Sequence, residues 1–332
     1  MYGISLEQLA EKAKVSKTTA SLVINGKGDR YKINKDTQQR ILSIASEFNY
    51  RPNFSARSLT KGKTMTIGLV VPNIADSFYS NIAFQLEQQL AETEYQLLMG
   101  STREKSDREE ALIATFLNRQ VDALIVATTQ KKQVYIEKIK NSGIPVVLFD
   151  RHYPDSDLPH VIVDNYYGVR KLIIHLESQN RNKIAYVGLD LELQAIKERQ
   201  QGYKDWSENV EYPANFLYTV SYENYLSECD ASVRKLVSEG VDAIIFETHY
   251  LALQGIKSLE SLGVNYSQEV NVVSFGDHQA FNIFPPGITA VDQPVDKIAG
   301  ASLNLVFNQL NNIDTELNTE VKLEPELIIR GT

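Results

Sequence analysis

The sequence predicts two folds in one chain: an all-α head over residues 1–49 and an α/β body of parallel sheets from residue 65, joined by a short helix and linker at 50–64. Three observations predict this. Apolar residues recur at helical spacing through the head, whereas from residue 66 short β-rich runs alternate with amphipathic stretches. Charge also changes sign along the chain. The net charge is −8, yet residues 1–63 carry 12 Lys and Arg against 5 Asp and Glu, so this part is +7 and the remainder −15.

In the head, Leu6, Leu9, Ala10 and Ala13 form one apolar stripe, opened by Ser5 and Gln8 as a capping pair. Ser16 caps a second helix, Lys17–Ile24, with Ala20, Val23 and Ile24 facing inward and Lys17, Thr18, Ser21 and Leu22 outward. A third helix follows Asn34, with Ile41, Ile44, Ala45 and Phe48 as its buried stripe. Two short helices joined by a tight turn and braced by a third make a helix-turn-helix, whose polar second helix suits the major groove. Residues 50–59 read as a Pro-started helix too short to be stable alone. A basic head on an acidic body is what phosphate binding by one end requires.

The body predicts strands at 66–71, 96–99, 123–126, 146–149, 161–163, 184–187, 243–246, 271–275 and 289–291. Open α/β sheets take ligands beyond the carboxyl ends of their strands. The loops there hold Asp76-Ser77-Phe78, Thr128-Thr129, Asp150-Arg151-His152, Thr248-His249-Tyr250 and Gly276-Asp277-His278, with Arg199 farther on. Carboxylates, an arginine and aromatic rings together suit a sugar, whose hydroxyls need paired donors and acceptors and whose ring faces are apolar.

Composition removes other classes. The chain is 43% hydrophobic and 23% charged, as in ordinary globular proteins. No apolar run reaches the roughly 18 residues needed to span a bilayer, and the start lacks a signal-peptide pattern. The single cysteine, Cys229, excludes an internal disulfide or thiolate cluster and reads as a passenger thiol. A cytoplasmic protein without metal or cofactor is expected. Walker, HExxH and G-x-S-x-G motifs are absent, which argues against an enzyme. A periplasmic sugar carrier would share the body but not the basic head.

The motifs VSKTTASLVING (15–26), NYRPNFSARSL (49–59) and TIGLVVP (66–72) resemble the lactose-repressor (LacI) family along the whole chain. The resemblance implies a two-lobed, periplasmic-binding-protein-like core, with lobes at 65–163 plus 292–320 and 164–291 plus 321–332. It implies a homodimer, since the chain carries no extra heptad-like helix after Leu327–Thr332. Against operator DNA it places Lys17, Thr18, Ser21 and Leu22 on base edges, and Ser16, Thr19, Asn25 and Lys27 on phosphates. Asn53, Ala56 and the wedge residue Leu59 belong to paired hinge helices in the minor groove. Leu22 stands where many relatives have arginine, which implies a different operator.

For the effector, place in the loops after strands points to Ser77, Phe78, Thr128, His249 and Asp277, and the resemblance adds Asp150 and Arg199, which match effector-pocket positions. Lobe closure on the sugar then tilts the hinge helices. Gly276 and Thr248-His249 depart from common relatives, and VINGKGDRYKIN, VVLFDRH and SFGDH point to the sucrose-operon and fructose branch. FDRHYPDSDLP favours the sucrose side. The implied function is a repressor of a sugar-utilisation operon, sucrose, released by fructose or a sugar phosphate. The alternative is a fructose-responsive global catabolite repressor/activator.

Overall fold

The computed structural model describes residues 4–50, 62–154, 156–210, 216–313 and 319–332. It divides into two compact units, Met1–Thr64 and Met65–Thr332.

The first unit holds α1 (Leu6–Lys12), α2 (Lys17–Ile24) and α3 (Lys35–Glu47). Each start is sealed as its residues dictate. Ser5 and Gln8 exchange side-chain and backbone bonds at 3.2 and 2.8 Å, Ser16 Oγ accepts from the Thr19 amide, and Asn34 accepts from Asp36. Arg40 donates to the Ala13 carbonyl just past α1, satisfying an end that lacks an intrahelical donor. Leu9, Ala13, Val23 and Ile41 are buried together, and Ile24, Ile44 and Ala45 pack half-buried around them. Phe48, expected inside, is half-buried at the end of α3 with the Lys12 ammonium 4.2 Å from its ring centroid.

In the second unit, two six-stranded sheets each support a lobe. The first has order β11-β5-β4-β3-β1-β2, from β1 (Thr66–Val71), β2 (Gln96–Ser101), β3 (Ala123–Val126), β4 (Val146–Phe149), β5 (His160–Val163) and β11 (Glu320–Leu323), all parallel. The second has order β12-β10-β9-β8-β6-β7, from β6 (Ile184–Leu189), β7 (Leu217–Val220), β8 (Ala243–Phe246), β9 (Asn271–Phe275), β10 (Thr289–Asp292) and β12 (Glu326–Ile328). Only β12 is antiparallel to its neighbour there.

The central strands are buried throughout, as sheets covered on both faces must be. On the first sheet lie α4 (Ser77–Leu90), α5 (Ser106–Asn118), α6 (Val134–Asn141) and α11 (Val295–Leu310). On the second lie α7 (Asn165–Ser178), α8 (Gln194–Ser207), α9 (Tyr225–Ser238) and α10 (His249–Ser261). Cys229 is buried in α9, and its thiol is pushed up to about 12 by burial.

The expected lobe boundaries need correcting at two places. Residues 321–323 were assigned to the second lobe, yet β11 pairs in parallel with β5 and turns Val321 and Leu323 onto the first lobe's core. The chain crosses at Glu324-Pro325 instead. Asp292, assigned to the first lobe, is the last residue of β10 in the second sheet.

Candidate functional site

In the head, Lys17 and Thr18 are exposed on the first turn of α2, while Ser21 and Leu22 are half-buried. Ser16 and Thr19 join hydroxyls at 2.8 Å, and the Asn25 amide donates back to the Ser21 carbonyl at 2.8 Å. These bonds hold the two ends of α2 in shape.

The long turn from Gly26 to Ile33 is ordered by its own bonds. Ile33 donates to the Gly28 carbonyl, and Asp29 accepts from Lys35 and Gln38, both on α3. Gly28 lies so close to Gln38 that a Cβ would fall 2.4 Å from its Oε1. Lys27, Arg30 and Lys32 are exposed on this pinned turn. Asn53, Ala56 and Leu59 lie outside the described residues.

In the second unit, loops from the carboxyl ends of both sheets line a cleft. Four of the seven expected effector residues line it: Phe78, Asp150, Arg199 and His249. Ser77 sits beside it, its hydroxyl 3.2 Å from His249 Nε2 across the lobes. Thr128 and Asp277 do not line it. The Thr128 hydroxyl is buried and donates to Glu109 at 2.8 Å. Asp277 is held in a two-pronged ion pair by Arg330, at 2.9 and 2.8 Å. Both expectations are corrected by partners far away in sequence that consume the groups.

The first lobe's wall is charged. Asp76 caps α4 by accepting from Phe78, and burial raises its carboxyl above the usual range. Asp150 accepts from the Tyr79 hydroxyl at 2.7 Å, and Arg151 is gripped by Glu104 at 2.7 Å on each amino group. Glu104 and Asp150 hold φ of 57° and 61°, a left-handed strain that non-glycine residues adopt at a cost of about 1 kcal/mol or more.

The second lobe's wall is mostly apolar, with Leu191, Leu193, Ile196, Tyr222 and Phe275 around Arg199. The Arg199 guanidinium lies 3.8 Å over the Phe275 ring. Its Nε donates to Asn165 at 2.8 Å and its Nη1 to the Glu247 carbonyl at 3.2 Å. Behind it, burial pushes the Glu247 carboxyl up to about 7, against the pull of Arg199. His249 stacks on His278 with ring centroids 5.2 Å apart, and burial followed by that neighbour draws it down to about 4. It is therefore a neutral imidazole at pH 7.

The sequence reading missed Glu104, Tyr222, Leu191, Leu193 and Phe275 as wall residues. Position after a strand could have found Glu104 and Tyr222, which follow β2 and β7 by two or three residues. Among the described residues, no group of three His, Cys, Asp or Glu is placed to hold a metal, and no helix is long and apolar enough to cross a membrane.

A helix-turn-helix unit and a two-lobed ligand cleft on one chain define a ligand-responsive transcription regulator. The description "Periplasmic binding proteins and sugar binding domain of LacI family" matches residues 64–316, and "Bacterial regulatory proteins, lacI family" matches 5–53. The chain is 29% identical to the fructose operon regulatory protein of Vibrio cholerae, over 92% of this chain and 94% of that one. It is 30% identical to the sucrose operon repressor of Klebsiella pneumoniae, over 89% of each. A lac repressor dimer bound to operator and an anti-inducer matches in fold with a TM-score of 0.87, at 17% identity, over 100% of this chain and 99% of that one. The chain belongs to the LacI family: it is a DNA-binding, sugar-responsive repressor and not an enzyme.

Proposed function

We propose that this protein represses a sugar-utilisation operon from the cytoplasm, as a homodimer on a palindromic operator, and that a fructose-containing or related sugar in the cleft releases it. The single observation that carries the effector half is the cleft itself. A half-saturated arginine over an aromatic ring faces a wall of fixed carboxylates, as hydroxyl and ring-face recognition requires. For the DNA half, Lys17 and Thr18 are exposed at the start of α2 in a strongly basic head. They are the side chains we assign to base edges, with Ser21 and Leu22 beside them and Ser16, Thr19, Asn25 and Lys27 toward phosphates.

The second copy is assigned to an apolar groove between α4 and the edge strand β2, where Ile74 and Phe84 are each 53% exposed. Near-equal identity to a fructose and a sucrose regulator leaves the operon to be separated by its sequence context. We favour sucrose on residues 149–159.

The test is operator release. Gel shifts with the palindrome upstream of the protein's own operon are titrated with sucrose, fructose and their phosphates. Binding should weaken roughly 10³- to 10⁵-fold between 50 and 200 mM salt, because a dimer of such heads engages about 6–10 phosphates. Salt-insensitive binding would remove the basic head from the interface, and release by none of these sugars would remove the effector assignment.

A further inference from the structure

The cleft wall contains a cation that the protein has already spent. Arg151 lines the cleft, and both of its terminal amino groups are held by the two oxygens of Glu104 at 2.7 Å. Asp150 Oδ2 lies 3.8 Å from its remaining Nε. The other cation, Arg199, has Nε and Nη1 engaged by Asn165 and Glu247. Among the described residues, that leaves one Nη1 hydrogen and the Nη2 group of Arg199 to reach a ligand. With Arg151 paired to Glu104, Arg199 is, among the described residues, the one guanidinium lining the cleft whose charge has no carboxylate hydrogen-bonded to it, and a single cation offsets only half of a phosphate dianion.

The acids are in excess. Three carboxylates line the cleft, Asp76, Glu104 and Asp150, against two guanidinium groups. His249 adds no charge, because burial and its neighbour hold it neutral. Two helices that begin at the cleft are already capped at one terminal amide each, α4 at Phe78 by the Asp76 carboxylate and α10 at Leu251 by the Thr248 hydroxyl. The helix that starts without a side-chain cap, α8, opens among Leu191, Leu193 and Ile196, which offer a phosphate no second partner. A dianion entering this cleft meets like charges that repel it by several times thermal energy at 4–6 Å.

We propose that Glu104 sets the charge class of the effector: by locking Arg151 it makes the cleft select an uncharged sugar over the phosphate ester of the same sugar. The proposal rests on the reading of the cleft as the sugar site and narrows it. The strained backbone at Glu104, φ 57°, is consistent with a carboxylate held in place for what it does there. Asp150 and Asp76 then serve as acceptors for hydroxyl protons, which a neutral polyol supplies in number.

The experiment is calorimetry on the full-length protein with fructose, sucrose, fructose 1-phosphate and fructose 6-phosphate. The uncharged sugar that binds should do so at least tenfold more tightly than its ester. Glu104→Gln keeps the shape, removes the counter-charge and frees Arg151, so affinity for the ester should rise about tenfold or more relative to the neutral sugar. Circular dichroism confirms that the variant is folded, and the wild-type preference stands as a test without it.

A wild-type protein that prefers the ester overturns the proposal while leaving the sugar reading intact. So does a folded Glu104→Gln protein whose preference is unchanged. If neither sugars nor esters bind, the sugar reading itself fails and the proposal falls with it.

Discussion

Two sheets of corresponding strand order face each other across the cleft, and they furnish its walls in opposite ways. The fourth strand of each, β4 and β9, is followed directly by a left-handed residue, at φ 61° in Asp150 and φ 90° in Gly276. The same turn is thus made once by a residue that adopts it freely and once by one that does not. A Cβ at Gly276 would meet nothing closer than His249 Nδ1 at 3.7 Å, so space does not demand the glycine; the dihedral does. In the first lobe the strain is tolerated because the side chain is needed, and its carboxylate takes the Tyr79 hydroxyl and faces the cleft. The first lobe therefore supplies charge on a constrained backbone. The second supplies apolar surface around one arginine, held in place by its ring-face contact and two fixed bonds with its other donors left over.

Removing that arginine should give the largest effect. Arg199→Leu should weaken the sugar by more than tenfold, equivalent to about 2–3 kcal/mol for a buried charged donor. Operator binding in the absence of sugar should persist. Titration of both proteins with the effector, followed by operator release, measures it. Wild-type affinity in the variant would move the effector site away from the second lobe's wall.

A smaller effect separates two buried groups of the second lobe by pH. His249 is drawn from 6.5 down to about 4, so the unfolded chain binds more protons between these values and stability falls as pH falls through them. Glu247 is raised from 4.5 to about 7, so here the folded chain binds more protons and stability rises as pH falls from about 7 to 4.5. The two slopes oppose each other over their shared window, each at most about 1.4 kcal/mol per pH unit. Urea denaturation at pH 5 and pH 6.5 should show Glu247→Gln losing stability on acidification relative to wild type, and His249→Asn gaining it. Identical pH slopes in all three proteins would mean neither group is buried as described.

The smallest expected effect lies at the paired turns themselves. Asp150→Gly relieves on the order of 1 kcal/mol of backbone strain and loses a hydrogen bond of similar size, so its net stability change should be near zero. Gly276→Ala should cost about 1 kcal/mol by strain alone, roughly 2–4 °C in melting temperature for a domain of this size. Thermal melts of both variants sharpen the comparison. An Asp150→Gly protein that melts many degrees lower would show that the first turn is a structural device and not a site residue.

Much of the fold was legible because its signals are local. The caps at Ser5, Ser16 and Asn34 and the nine expected strands recur in the structure, with strand ends moved by no more than two residues. The three strands not anticipated, β7, β11 and β12, lie at sheet edges and are only partly buried, so they lack the continuous apolar run of a central strand. The site was legible in part for the same reason. Position after a strand pointed to Phe78, Asp150 and His249, but ending β2 at Met99 left Glu104 out of view.

What the sequence by itself determined, then, is the helical periodicity of the head, its surplus of basic charge, the alternation of strand and helix, and the loops in which a ligand site had to fall. These follow from residue type and spacing along a few turns of chain. Tertiary structure alone decided which polar groups in those loops remain available. Glu104 meets Arg151 across 47 residues and removes a cation from the cleft, while Arg330 meets Asp277 across 53 and removes a carboxylate. Burial likewise decided that His249 is neutral and that Glu247 titrates near 7. A side chain's chemistry is written in its type, but its availability depends on which partner reaches it first, and that is settled only when distant strands are brought side by side.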